Sequence, residues 1–384
     1  MELKKVYLDS AATTQVREEV IAKMQEALAS CFGNPSSTHS FGRTAKTAIE
    51  QARKTIAKYL NAQASEIIFT SGGTEADNMI LRGAVRDLGV QTIVTSRIEH
   101  HAVLHTAEEL VKEYGIALHF VELDTYGNPG LSHLEQLLKN DDSKKLVSLM
   151  HINNEIGNKI DIDAISEICK AHNAYFHSDT VQSIGHYPWD VQQLPIDFMT
   201  AAAHKFHGPK GIGFAFIRKN SGLKSFIFGG SQERGFRAGT ESFHNIVGLE
   251  TAFIEAYEHL AEEQEYVTGL KKYFIGQLQE ALPGVKFNGY SGDLDKSTYT
   301  LVNACLPFRE DKAMLLLFHL DIKGIACSKG SACQSGTNQN SHVLAELLSE
   351  EDLKKPSVRF SFSRYNTKEE IDYTVEVLKS FSET

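Results

Sequence analysis

Short apolar runs alternate with amphipathic stretches through the first 220 residues. EIIFTSG (66–72), QTIVTS (91–96), ALHFVEL (117–123), KLVSLMHI (145–152), AYFHSD (174–179), DFMTAA (197–202) and GFAFIR (213–218) have the length and the β-branched or aromatic content of strands. Between them, TEADNMILRGAV, HAVLHTAEELVKEYG, LSHLEQLLKN and AISEICKAH repeat their apolar positions at helical spacing. This alternation predicts an α/β fold with a mainly parallel central sheet flanked by helices. Ligands in such sheets gather beyond the carboxyl ends of the strands, so the residues just after each strand carry the most functional weight.

The texture changes after about residue 240. Two long helical patterns, 242–262 and 264–281, lead into strands near 298–304, 325–328 and 357–363, with KAMLLLFHL and EEIDYTVEVLKSF to cover them. The pattern predicts a large domain over 14–257 and a smaller α+β domain over 258–384 that also takes in residues 1–13. A hydrophobic share of 42% and a charged share of 23% exclude a disordered or fibrous chain. No apolar run reaches the 18 residues of a membrane span, and MELKKVYLDS lacks the apolar core of a secretory signal. Five scattered cysteines do not make a disulfide framework, so a reducing cytoplasm is expected. A net charge of −10 argues against direct binding of nucleic acid.

The candidate chemistry sits after the strands. Asp179 ends AYFHSD, and Lys205 follows DFMTAA in AHKFHGPKG. Singly they read as a turn cap and a surface lysine. Together, on one sheet edge, a lysine can form a Schiff base while an aspartate keeps a pyridine nitrogen protonated. SGGTEADN (71–78) puts Gly73 and Thr74 at a helix start suited to an anion, although a plain N-cap has the same look. His100 opens another helix, where it could stack on a cofactor, move protons or simply cap. Cys169, His172 and His177 lack the second cysteine pair or carboxylate of a zinc site, and no metal is expected. Cys333 lies in KGSACQSGTNQN, by composition a mobile loop, and suits an exposed nucleophile, whereas Cys169 and Cys305 sit among apolar neighbours. Arg359, in SVRFSFSR, could fork onto a carboxylate or be a solvated strand residue.

With these pieces in place the chain resembles the cysteine desulfurases, class V members of the fold-type I pyridoxal-phosphate enzymes. FGNPSSTH (32–39), TSGGTEADN (70–78), MHINNEIG (150–157), HSDTVQSIG (177–185), HKFHGPKGIG (204–213), GGSQERGFRAGT (229–240), GSAC (330–333) and VRFSFSR (358–364) match that family in order, from YLDSAATT (7–14) to NTKEEIDYTVEVL (366–378). The resemblance implies pyridoxal 5'-phosphate held by Lys205, which also shuttles the α-proton. It implies Asp179 on the pyridine nitrogen, Gln182 on the ring hydroxyl and His100 stacked on the ring. Gly73, Thr74 and His204 would hold the phosphate, and Thr240 would reach the phosphate of a neighbouring subunit in a homodimer. Arg359, Asn154 and Asn34 would bind the carboxylate of L-cysteine. Cys333 would take the sulfur as a persulfide and pass it to an acceptor protein, for iron–sulfur clusters, thio-cofactors or thiolated tRNA.

The chain departs from the pattern at Ala202, where many relatives carry a phosphate-binding serine, and in QSGTNQN after Cys333. Thr200 is the nearest hydroxyl on the same face of that strand. A selenocysteine lyase or aminotransferase of the same fold would keep Lys205 and Asp179 without needing Cys333. A non-catalytic scaffold would leave Lys205, Asp179, His100, Arg359 and Cys333 together unexplained.

Overall fold

The computed structural model describes residues 4–330 and 341–383. Its strands, in chain order, are β1 (Val6–Tyr7), β2 (Ile67–Thr70), β3 (Thr92–Thr95), β4 (Ala117–Phe120), β5 (Lys145–Ser148), β6 (Tyr175–Asp179), β7 (Phe198–Ala202), β8 (Gly213–Ile217), β9 (Lys286–Phe287), β10 (Leu301–Cys305), β11 (Ile325–Ala326) and β12 (Ser357–Ser361). Seven of them form one sheet in the order β2-β8-β7-β6-β5-β3-β4. The pairs from β7 through β6, β5 and β3 to β4 are all parallel. β2, β3, β5, β7 and β8 are buried at every residue, as expected of apolar runs with no alternation.

The one reversed strand is β8, antiparallel to both β7 and β2. A parallel return needs a crossover of about a dozen residues or more, usually a helix. Residues 203–212 supply only a short 3-10 turn and the GPKG segment, so the chain must double back. Apolar patterning cannot show this direction, because a fully buried strand reads alike either way.

A second, three-stranded antiparallel sheet has the order β12-β10-β9, and β1 pairs in parallel with β11. The buried side chains fall into separate clusters. One, around the large sheet, runs from Val20 to Ala256, while another joins Val6 and Leu8 to residues from Val267 onward. The break lies between the helices Phe243–Glu258 and Leu260–Ala281. Cys169 in the first cluster and Cys305 on β10 are both buried, as their apolar neighbours predict. No helix among the described residues is long and apolar enough to cross a membrane.

Candidate active site

A cavity of about 230 Å³ opens where the carboxyl ends of the large sheet meet the second layer. Each wall segment follows from a strand end. After β2 come Gly73 and Thr74, after β3 His100, after β5 Met150 and Asn154, after β6 Val181 and Gln182, and after β7 His204 and Lys205. Asp179 is the last residue of β6, and Ala202 the last of β7. Ala11, Ala12 and Arg359 close the opposite side.

Lys205 reaches across this space. Its Nζ donates to the carbonyls of Ala11 (2.6 Å) and Ala12 (2.9 Å). Asp179 is buried and accepts from the Val181 N–H at 2.9 Å, with the Thr200 hydroxyl at 3.5 Å. Burial first, and the nearby Asp77 carboxyl second, push its pKa up to about 6, while His100 opposes them. A carboxylate held this way gains from any cation placed against it.

Of the roles that the sequence leaves open for His100, capping is realised. It caps the helix His101–Tyr114, its Nδ1 accepting from the Ala102 N–H at 3.1 Å, and it also faces the cavity. Burial lowers its pKa, which favours the flat neutral imidazole. His204, with Nδ1 3.2 Å from the Thr13 hydroxyl, is pushed down to about 4 by burial and then by the charges of Lys205 and Lys210. Gln182 donates from Nε2 to the Ala11 carbonyl at 3.0 Å.

The helix Gly73–Leu88 begins without a side-chain cap at Gly72, so its first N–H groups face the cavity end with no acceptor of that kind. A Cβ on Gly73 would lie 2.6 Å from Val181 Cγ2, so glycine keeps this corner open. The set fits pyridoxal phosphate: a lysine amine, a buried acidic partner for the pyridine nitrogen, a neutral ring for stacking, and a helix start for the phosphate. Ala202 lines the cavity with no hydroxyl. Thr200 does not replace one, because its hydroxyl is buried against Asp179 at the other end.

Arg359 is 1% exposed rather than a solvated strand residue. Nη1 donates to the Asn154 carbonyl at 2.7 Å, and Nη2 pairs with Asp9 Oδ1 at 2.9 Å. Two expected residues do not join the cavity. Asn34 is exposed, its Oδ1 accepting from the Ser36 N–H at 2.9 Å, and Thr240 is exposed on the 229–240 segment. Cys333 lies outside the described residues. Asp77 on the cavity wall and Asp9 behind Arg359 are acids that the motifs do not mark. Asp77 stands among the buried residues Ala76, Met79 and Ile80 of its helix, and Asp9 follows β1 by two residues, weak signals by themselves. No group of three His, Cys, Asp or Glu among the described residues is arranged to hold a metal ion.

Comparison with known proteins agrees with this geometry. The family model described as "Aminotransferase class-V" matches residues 6–374. The protein named "Cysteine desulfurase IscS" of Dictyoglomus turgidum is 41% identical over 382 residues, covering 99% of this chain and 95% of its own length. Among solved structures, a NifS-like protein from Rickettsia africae superposes with a TM-score of 0.88 at 30% identity, covering 99% of this chain and 100% of its own. A structure titled "SspA in complex with cysteine" has a TM-score of 0.81 at 30% identity, covering 94% and 100%. Matched over nearly its whole length in sequence and in fold, the chain belongs to the class-V aminotransferase family and, within it, to the pyridoxal-phosphate-dependent cysteine desulfurases.

Proposed function

We propose that this enzyme takes sulfur from L-cysteine and leaves L-alanine, with Lys205 moving the proton, Arg359 holding the substrate carboxylate and Cys333 receiving the sulfur. The observation that carries the reading is one cavity in which Lys205, Asp179, His100 and Arg359 meet. Bound pyridoxal phosphate supplies an electron sink that weakens bonds at the substrate's α- and then β-carbon. Asp179 would hold a proton on the pyridine nitrogen, Gln182 would serve the ring hydroxyl and His100 would stack on the ring. With Ala202 lacking a hydroxyl, the N–H groups at Gly73 and Thr74, aided by His204, would hold the phosphate.

Lys205 Nζ, already donating to the carbonyls of Ala11 and Ala12, takes the α-proton of the substrate. The Arg359 fork meets the substrate carboxylate beside Asn154, and Asn34 contributes if its loop closes. The Cys333 thiolate attacks the substrate sulfur. The new S–S bond forms as the Cβ–S bond breaks, the carbon ends protonated as alanine, and Cys333 keeps the sulfur as a persulfide. An acceptor protein then takes it for iron–sulfur, thio-cofactor or tRNA synthesis, in the cytoplasm.

The same reading takes 14–257 as a large domain and 258–384 with 1–13 as a small one, in keeping with the break between the two cores. It also takes the enzyme as a homodimer. Thr240 lies on a segment tied to the 31–39 loop by Gln232 and Ser36, and that surface exposes Phe228 (80%) and Phe32 (77%). Apolar exposure of this kind marks a docking face, and a second copy would bring Thr240 to its neighbour's phosphate. The test is Cys333→Ser. It is expected to keep the yellow cofactor while abolishing sulfide release from cysteine, and full turnover would overturn the assignment.

A further inference from the structure

Asp77 lies on the cavity wall next to Asp179, yet the reaction above gives it no task. It sits within the helix Gly73–Leu88 and is buried. Behind it stands His177 on β6, also buried, with Nε2 3.4 Å from Asp77 Oδ1. The other nitrogen, Nδ1, is 2.8 Å from the hydroxyl of Ser148 on β5. In front stands Thr200, whose hydroxyl bears on Asp77 and lies 3.5 Å from Asp179 Oδ1. Ser148, His177, Asp77, Thr200 and Asp179 thus form one buried file that ends at the cofactor site.

The file has a consistent direction. Thr200 owns a single O–H proton, so it donates to one carboxyl and must accept from the other. If Thr200 donates to Asp179, Asp77 must carry a proton and give it to Thr200. Its Oδ1 then faces His177 Nε2 at 3.4 Å, two buried atoms that have no hydrogen-bond partner elsewhere among the described residues, and Ser148 donates to His177 Nδ1. Two buried carboxylates this close do not both ionise, which agrees with a single proton between them. We infer that Asp77 is a positioning residue, protonated and held by His177 and Ser148, which aims Thr200 at Asp179 and leaves Asp179 as the one anion facing the pyridine nitrogen. The shifts run the same way: burial pushes Asp77 up to about 7 and His177 down to about 4. The other titratable groups facing this pair are His100 and Glu99, the latter tied to the Met150 N–H and the Ser96 hydroxyl.

The inference rests on the reading of Asp179 as partner of the pyridine nitrogen. The experiment is a pH titration of the visible band of the holoenzyme, with pyridoxal phosphate affinity and the thermal midpoint of the apo chain measured alongside. Asp77→Asn reproduces the protonated acid, donating an N–H to Thr200 with its oxygen facing His177, so its band should titrate as in the parent. Asp77→Ala loosens Asp179's hold on the ring proton. A less firmly held positive charge repels the titrating proton less, so the midpoint should rise by about one pH unit. Affinity for pyridoxal phosphate should fall roughly tenfold, the loss of one hydrogen bond's worth of positioning. Ser148→Ala should move the midpoint in the same direction by less.

An Asp77→Ala band that titrates as in the parent, whatever its thermal midpoint, overturns the inference. So does Asp77→Asn moving the band as far as Asp77→Ala, since the charge would then be what matters. If Asp77→Ala does not fold, the result expected is a parental Asp77→Asn with a raised Ser148→Ala, and any other pairing counts against the inference. An unchanged band in Asp179→Asn would instead remove the reading of Asp179 itself.

Discussion

Lys205 and Asp179 stand at the ends of parallel strands, whereas Arg359 comes from within an antiparallel one, and the two walls hold their residues differently. On the large-sheet side, Asp179 ends β6 and Lys205 sits one short turn beyond β7, so the strand register places them together. On the other side Arg359 lies inside β12, opposite Asn303 of β10, and its side chain is anchored by partners outside that sheet. It reaches the Asn154 carbonyl from the large sheet and Asp9 from the chain start. Chemistry therefore comes from one layer and substrate grip from the other. The cavity is competent only while the two layers keep their distance.

The largest effect should come from the first wall. Lys205→Ala removes the proton carrier, and alanine formation should fall by about 10²–10⁴-fold while the fold stays intact. A variant that loses less than tenfold would move the base elsewhere and break the contrast.

A large stability effect should come from the segment that carries Thr240. Glu233 accepts from both guanidinium nitrogens of buried Arg53, at 2.8 and 2.9 Å, and from the Phe69 N–H at 2.8 Å. Its backbone is left-handed, with φ at 44°. Glu233→Gln leaves buried Arg53 with only the more exposed Glu50, 3.1 Å from Nε, as its ionic partner and should cost about 3 kcal/mol, read from the urea midpoint. A shift under about 1 kcal/mol would mean that solvent reaches Arg53.

The second wall should respond more gently. Arg359→Lys keeps the charge and loses the fork, so kcat/KM for cysteine should fall by roughly 10–100-fold, about 1.5–3 kcal/mol. The visible band should stay in place. A displaced band with unchanged kcat/KM would mean that Arg359 serves the cofactor instead.

The smallest effect concerns proton balance in the large-sheet core. His151, edge-on to Trp189 with centroids 5.0 Å apart, is pushed down to about 3, chiefly by burial. Its unfolded pKa is near 6.5, so the unfolded chain binds more protons below that pH. The stability tied to neutral His151 is complete above about 6.5 and drains away as pH falls toward 3. His151→Phe should flatten the slope of stability against pH by about 1.4 kcal/mol per pH unit in that window. An unchanged slope between pH 6 and pH 4 would show that the imidazole is already solvated.

Part of this was legible in the chain alone, and the physics explains which part. Buried parallel strands are continuous apolar runs, so all seven strands of the large sheet stood out, and their carboxyl ends pointed to Asp179, Lys205 and His100. The reversal of β8 did not show, because it depends on how short the 203–212 connection is, not on hydrophobicity. Asp9 and Arg359 are 350 residues apart, and nothing local marks them as a pair. Asp77 looks like any acid near a helix start until His177 and Thr200 close around it. Thr240 and Asn34 matched motifs and yet lie outside the cavity of a single chain, because a motif records identity and not which wall a residue joins.

The central claim joins one amine and one thiol to a single substrate. Its most direct test is mass spectrometry of the holoenzyme after incubation with L-cysteine and without reductant. The account predicts that the peptide bearing Cys333 gains one sulfur atom while an equal amount of alanine appears. Alanine formed with Cys333 unmodified, or sulfur carried on Cys327 instead, would contradict it.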